Sequence, residues 1–215
     1  AFPEPGEQLD GKRYPLQLVR CDRSVPPDNC GRLQMPHTVS GHVLYDSYWY
    51  RSGINRTMTE NLHEIATQAN DLVQGLQPGD LVVDIGCNDG TLLDGYGELA
   101  KDIKYLGIDP SDVTRYAVAK GYDVVNDFFS SAALQSRHPD QKAKIITSIA
   151  MFYDLENPGQ FVADIAESLA SDGVWVSEFS YMPTMLEMSS FDTICHEHLE
   201  YYSLAVIERL FEKAG

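Results

Sequence analysis

The spacing of hydrophobic positions changes several times along the middle of the chain, and those changes place the elements. After Thr57-Met58-Thr59-Glu60, which has the pattern of a capping box, Leu62, Ile65, Ala66, Ala69, Leu72 and Val73 recur at helical spacing until Pro78-Gly79. Short continuous apolar runs then take over. Leu81 to Ile85, Tyr105 to Ile108, Tyr122 to Val125, Ile145 to Ile149 and Val174 to Phe179 read as strands. Helical stretches separate them, over Thr91 to Ala100, Ser111 to Lys120, Ser130 to Arg137 and Gly159 to Ala170. Such alternation requires crossover connections, which predicts an α/β fold: a doubly wound, mostly parallel, Rossmann-like sheet with helices on both faces. Beyond Ser203, the apolar stripe Leu204, Ile207, Leu210 and Phe211 predicts one more packed helix.

Residues 1–45 have no such period. They are rich in Pro, Gly and polar residues and predict a loop-rich appendage with short strands, in front of a main domain over 46–215. No internal repeat appears. No apolar run approaches the roughly 20 residues of a membrane helix. The 32 acidic and 16 basic residues give a formal charge of −16, a field that repels phosphate backbones and anionic lipid, so neither nucleic acid nor membrane is expected as a partner. The sequence leaves the oligomeric state open. No signal-peptide pattern opens the chain, and its four cysteines are too scattered for a disulfide framework, so a reducing cytoplasm is the expected compartment.

The candidate chemistry begins where the first strand runs into a glycine turn, Asp84-Ile85-Gly86-Cys87-Asn88-Asp89-Gly90, with Thr91 opening a helix. In an open parallel sheet such a turn lines the ligand site. A dinucleotide fingerprint needs G-x-G-x-x-G, but this chain reads D-x-G-x-N-x-G. Asp84 and Asp89 would repel a pyrophosphate and attract a sulfonium cation and its amino group. Asp109, at the end of the second strand, is placed to accept the ribose hydroxyls of an adenosine. Asp127 and Phe128 follow the third strand and offer a carboxylate and a ring to adenine, although Phe128 and Phe129 also suit a core and Asp127 a helix cap.

With these residues in view the chain resembles class I S-adenosylmethionine-dependent methyltransferases. The stretches YWYRSGINRTM (48–58), DIGCNDGTLL (84–93), GIDPS (107–111) and FDTICHEHLEYYSL (191–204) resemble, more narrowly, the C-methyltransferases that act on nucleotide-linked 4-keto-deoxysugars. That resemblance implies a small-molecule nucleotide-sugar substrate, with Tyr48, Arg51, Ser52 and Asn55 as substrate-binding candidates. Arg51 and Arg56 are the cations available to an anionic group. Methyl transfer to carbon needs a base to form an enolate, and a donor to steady its oxygen. The resemblance gives His198 the role of base with Glu197 orienting it and His196 and Tyr202 as further catalytic candidates, while Tyr50, Tyr48 and Tyr201 are the phenols available where the family's tyrosine is missing. Cys195 stands where family members often carry tyrosine.

Other readings of the histidine stretch are a structural cluster, or a metal pair, since i, i+2 positions on a strand point the same way. The family usually carries an amino-terminal zinc domain, which makes Cys21 and Cys30 candidate ligands, with His37 and His42 to complete a mixed site; two ordinary thiols are the alternative. The family also implies a further carboxyl-terminal part beyond this chain. The functional alternatives are O-methylation of a hydroxyl, a nicotinamide-dependent oxidoreductase, and a non-catalytic cofactor-binding module.

Overall fold

A computed structural model describes residues 13–22, 24 and 31–214. Five strands, β3 (Leu81–Ile85), β4 (Lys104–Ile108), β5 (Asp123–Val125), β6 (Ala143–Ile149) and β7 (Leu169–Glu178), form a parallel sheet in the order β5-β4-β3-β6-β7. All five residues of β3 are buried, as expected of a central parallel strand covered on both faces. Successive side chains of β3 enter opposite layers. Leu81, Val83 and Ile85 join a core completed by α5 (Ser131–Arg137), α6 (Pro158–Ser168) and α8 (Leu204–Glu212), whereas Val82 packs with α2 (Arg56–Leu72) and α3 (Thr91–Leu99). The doubly wound α/β architecture is the one predicted.

Several boundaries differ from the sequence expectation for identifiable reasons. Asn55, in extended conformation, caps α2 by accepting the Met58 N–H at 3.3 Å, so the helix begins at Arg56 and Thr57 is already inside it. The stretch 111–120 forms a 3₁₀ turn, Asp112–Thr114, followed by the short helix α4 (Arg115–Ala119). At the other end of the sheet α6 stops at Ser168. Ala143 then pairs with Leu169 and Ile145 with Val174, so residues 170–173 loop out, and Gly173 passes where a Cβ would lie 2.7 Å from the Ala143 carbonyl oxygen.

A second, antiparallel sheet joins sequence-distant segments. β1 (Val19–Arg20) pairs with β2 (Leu33–Gln34), which pairs with β8 (Glu200–Tyr201). The Met35 N–H continues the ladder to the Leu199 carbonyl at 2.8 Å. Arg32 Nε lies 2.7 Å from the nearly buried carboxylate of Glu200. The amino-terminal segment is therefore tied to the strand that immediately follows the histidines. Of two further helices, α7 (Met182–Glu187) packs Met185 with Met35, Leu199 and Tyr201 of this region, and α1 (Gly41–Tyr45) lies against Phe128.

Candidate active site

A cavity of about 430 Å³ opens at the carboxyl ends of β3, β4 and β6. β4 and β6 lie on opposite sides of β3, so the cavity sits where the strand order reverses, the usual ligand position in open parallel sheets. Its floor is the glycine turn. Gly86 and Gly90 take φ of 72° and 76°, in the left-handed region that favours glycine, and Asn88 takes φ of 51°. A Cβ at Gly86 would come within 3.4 Å of the Met151 side chain, which lines the same cavity. Two carboxyl groups frame the turn. Asp109 Oδ2 accepts the Asn88 N–H at 2.9 Å and Oδ1 accepts the Ser111 N–H at 2.8 Å. Asp84 is buried, takes a 2.7 Å hydrogen bond from the Thr147 hydroxyl, and is pushed up to about 7, mainly by burial and also by the nearby charge of Asp109.

One wall is the segment 48–54, which the glycine turn holds by side chain to backbone bonds. Asn88 Oδ1 accepts the Ser52 N–H at 3.1 Å and its amide donates to the Tyr50 carbonyl at 3.1 Å. Asp89 accepts the Gly53 N–H at 3.0 Å and the Thr91 hydroxyl at 2.5 Å. Asp89 thus anchors the wall and does not itself line the cavity, and Gly90 starts α3 beside it. Tyr48, Tyr50 and Ser52 do line the cavity. Burial raises the Tyr48 phenol to about 12, with help from the charges of Glu197 and Asp154. Arg51 does not line the cavity. Its guanidinium stacks 3.5 Å from the Tyr116 ring centroid and lies 3.7 Å from Asp89. Asn55 is committed to capping α2, and Arg56 pairs with Glu60 on the helix surface.

The histidine stretch lies on a bend ahead of β8, not on a strand, and its two imidazoles are turned to different partners. His196 Nε2 faces the Tyr14 carbonyl at 3.1 Å. His198 Nδ1 lies 2.8 Å from the Thr193 carbonyl, which can only accept, so Nδ1 carries the proton and Nε2 is the basic nitrogen. The His198 ring packs against Tyr153 with centroids 4.4 Å apart. Burial works against the imidazolium, while Cys195 and the Thr193 carbonyl, with Asp154 when it is ionised, favour it and hold His198 above its ordinary range.

Neither His198 nor Glu197 lines this cavity; His198 packs on Tyr153 and the charges of both act on Asp154, and Tyr153 and Asp154 line the cavity directly. Tyr202 is fully buried, its ring 5.1 Å from Phe152 and 5.8 Å from Phe179, so it belongs to the core and not to the cavity wall. Phe128 lines the cavity rim, 42% exposed and edge-on to His42, while the carboxylate of Asp127 accepts the Phe128 N–H and stays in solvent.

Sequence reasoning passed over Tyr45, Ala150, Met151, Tyr153 and Asp154, all of them cavity residues. Four of these follow β6, and the rule that ligands sit beyond strand carboxyl ends could have drawn attention to Ile149 to Asp154. Tyr45 comes from α1, which carried no periodic signal. Among the described residues no group of three or more His, Cys, Asp or Glu is placed to hold a metal, so zinc gains no support; Cys30 lies outside the described residues. No helix among the described residues is long and apolar enough to cross a membrane.

The comparisons agree with this geometry. The methyltransferase domain family matches residues 50–215. A C-methyltransferase, NovU, from Streptomyces niveus is 26% identical over 206 residues, covering 94% of this chain and 46% of its own length, so the chain spans about half of that relative. Among solved structures, the plantazolicin methyltransferase BamL in complex with SAH has a TM-score of 0.58 at 16% identity, covering 74% of this chain and 63% of its own. The mycolic acid cyclopropane synthase CmaA1, also complexed with SAH, has a TM-score of 0.56 at 17% identity, covering 80% and 65%. Fold and cavity together define a Rossmann-like class I methyltransferase. The chain belongs to the methyltransferase domain family.

Proposed function

We propose that this protein transfers a methyl group from S-adenosylmethionine to a carbon next to the ketone of a nucleotide-linked keto-deoxysugar. The chain's residues suit that cofactor. Asp84, buried and short of a cation, is matched to a ligand carrying positive charge, and Asp109 keeps lone pairs for ribose hydroxyls at the crossover of the sheet. Gly86 keeps a side chain out of the cradle, and Phe128 offers a ring at the rim. When bound, the cofactor supplies an electrophilic methyl on positively charged sulfur.

The observation that carries the carbon-methylation reading is the packing of the histidine bend against the cavity wall, with His198 4.4 Å from the cavity residue Tyr153. Support also comes from the similarity to NovU. In this reading His198, whose ring does not line the cavity itself, takes the proton beside the ketone through one bridging water, the electron pair of that C–H bond forms the enolate, and tyrosines on the wall steady its oxygen. Glu197 orients the bend. The full-length protein is incubated in deuterated water with S-adenosylmethionine and thymidine-diphosphate-linked 4-keto-6-deoxyhexoses. Methylated product, together with deuterium entering the acceptor carbon when the cofactor is omitted, is the expected result. Methylation without exchange would transfer the reading to a hydroxyl acceptor, and no methylation of any keto sugar would end it.

A further inference from the structure

The cavity wall contains a carboxyl group that the histidine reading leaves without a task. Asp154 ends the 3₁₀ turn Phe152–Asp154 after β6 and lines the cavity beside Tyr45, Tyr48 and Tyr153. Its Oδ1 is closed off from solvent and receives no hydrogen bond from the described residues. An ionised carboxylate enclosed in that way costs several kcal/mol. A neutral carboxyl costs far less and carries an O–H that seeks an acceptor. The groups around it favour the neutral form on balance. Burial has the largest effect and the charges of Glu197 and Cys195 add to it, while His198 and the nearby Tyr45 hydroxyl, which stands outside hydrogen-bonding geometry, pull the other way, leaving Asp154 near 8.

We propose that Asp154 is the hydrogen-bond donor to the carbonyl oxygen of the acceptor, acting as a neutral carboxylic acid from the cavity wall. This rests on the keto-sugar reading above. A ketone oxygen accepts the Asp154 proton as a hydrogen bond, and the bond strengthens as the adjacent C–H proton leaves to the base and its electron pair moves through the C–C bond onto that oxygen. Proton and charge balance: one proton goes to the base, one negative charge develops on the oxygen, and the Asp154 O–H bond is not broken. A carboxyl kept neutral by an apolar site is an effective donor to an enolate for this reason. Tyr45 and Tyr48 complete the donor side of the wall.

The test uses the full-length protein and a thymidine-diphosphate-linked 4-keto-6-deoxyhexose, reading deuterium entry at the acceptor carbon without cofactor. Asp154→Ala is expected to slow exchange by roughly 10²-fold to 10³-fold, the usual effect of losing one oxyanion donor. Asp154→Asn, which keeps a neutral donor, should recover a substantial part of that loss. The wild-type rate should fall as pH rises through about 8, where the donor ionises, and Asp154→Asn should lack that alkaline limb. Infrared difference spectra should show a protonated carboxyl band in wild type that is absent from Asp154→Asn. Calorimetric binding of S-adenosylhomocysteine by each variant establishes that it is folded. Unchanged exchange in Asp154→Ala with wild type active, or the same alkaline limb in Asp154→Asn, overturns the role while leaving the keto-sugar reading in place. Absence of exchange in wild type overturns both.

Discussion

The backbone N–H of Asn88 donates to the Asp109 carboxylate across 2.9 Å, fastening the glycine turn after β3 to the end of β4. The same carboxylate that would meet a ribose therefore also sets the shape of the turn beneath the ligand. Replacing Asp109 with alanine removes both functions, and charge-assisted hydrogen bonds are worth about 1.5–3 kcal/mol each. S-adenosylhomocysteine should bind the Asp109→Ala protein at least ~10-fold more weakly in calorimetry. Undiminished binding would remove Asp109 from the cofactor site.

Asp84 supplies a pH signature. Its carboxyl stands near 7 in the free protein, and a positively charged ligand stabilises the ionised form. Binding of S-adenosylmethionine then releases a proton at acidic pH, so affinity should rise with pH up to about 7 and level off above it. In Asp84→Asn that slope should vanish. Titrations at several pH values in two buffers of different ionisation enthalpy measure both the slope and the proton release.

His198→Ala should slow deuterium exchange at the acceptor carbon by roughly 10²-fold to 10⁴-fold, the usual contribution of a general base. The ring lies outside the cofactor end of the cavity, so binding of S-adenosylhomocysteine should be unaffected. Exchange at the wild-type rate would remove the base role from this residue.

Gly107 on β4 passes so close to Cys87 that a Cβ would lie 2.6 Å from its sulfur. Gly107 is set by a central strand and the buried Cys87 by the turn that follows its neighbour β3, so neither has much room to move. Gly107→Ala should destabilise the protein by about 1–3 kcal/mol, the usual cost of overpacking, visible as a lower denaturant midpoint. A stability equal to wild type would mean that the glycine turn itself shifts to relieve the clash.

Arg32 and Glu200 connect the amino-terminal strands to the strand after the histidines. Burial raises Glu200 to about 7, against the attraction of Arg32. Because the folded-state value is above the ordinary carboxyl value, the folded protein binds the extra proton between about 4.5 and 7. Stability from this group therefore declines as pH rises through that window. In Arg32→Met the charged carboxylate loses its cation, so the deficit should be about 1–3 kcal/mol at pH above 8 and shrink below about 6, where Glu200 is neutral in both proteins. Chemical denaturation at two pH values reads the difference, and a deficit independent of pH would place the loss in packing alone.

Much of the cavity floor was legible because its residues lie on or next to continuous apolar runs. Leu81 to Ile85 and its glycine turn follow local rules, and so does the carboxyl end of β4 at Asp109. The wall was harder to read. Asp154 sits in a 3₁₀ turn whose local sequence resembles any polar loop, and its value as a donor arises from Tyr45, Glu197 and His198, which arrive from distant parts of the chain. Tyr202 was misplaced for the opposite reason. A tyrosine beside catalytic-looking residues reads as polar, but the alternation after β8 turns its ring toward Phe152. Asn55 likewise serves as a cap two residues before the expected capping box.

The ladder from β2 to β8 also bears on the order of folding. Leu33 finds Tyr201 only after nearly the whole parallel sheet has been threaded between them, and contacts of such high sequence separation form slowly. The sheet and its glycine turn can consolidate early from neighbouring segments. The bend carrying His198 should then be secured after the glycine turn, an order that pulsed hydrogen exchange during refolding would read.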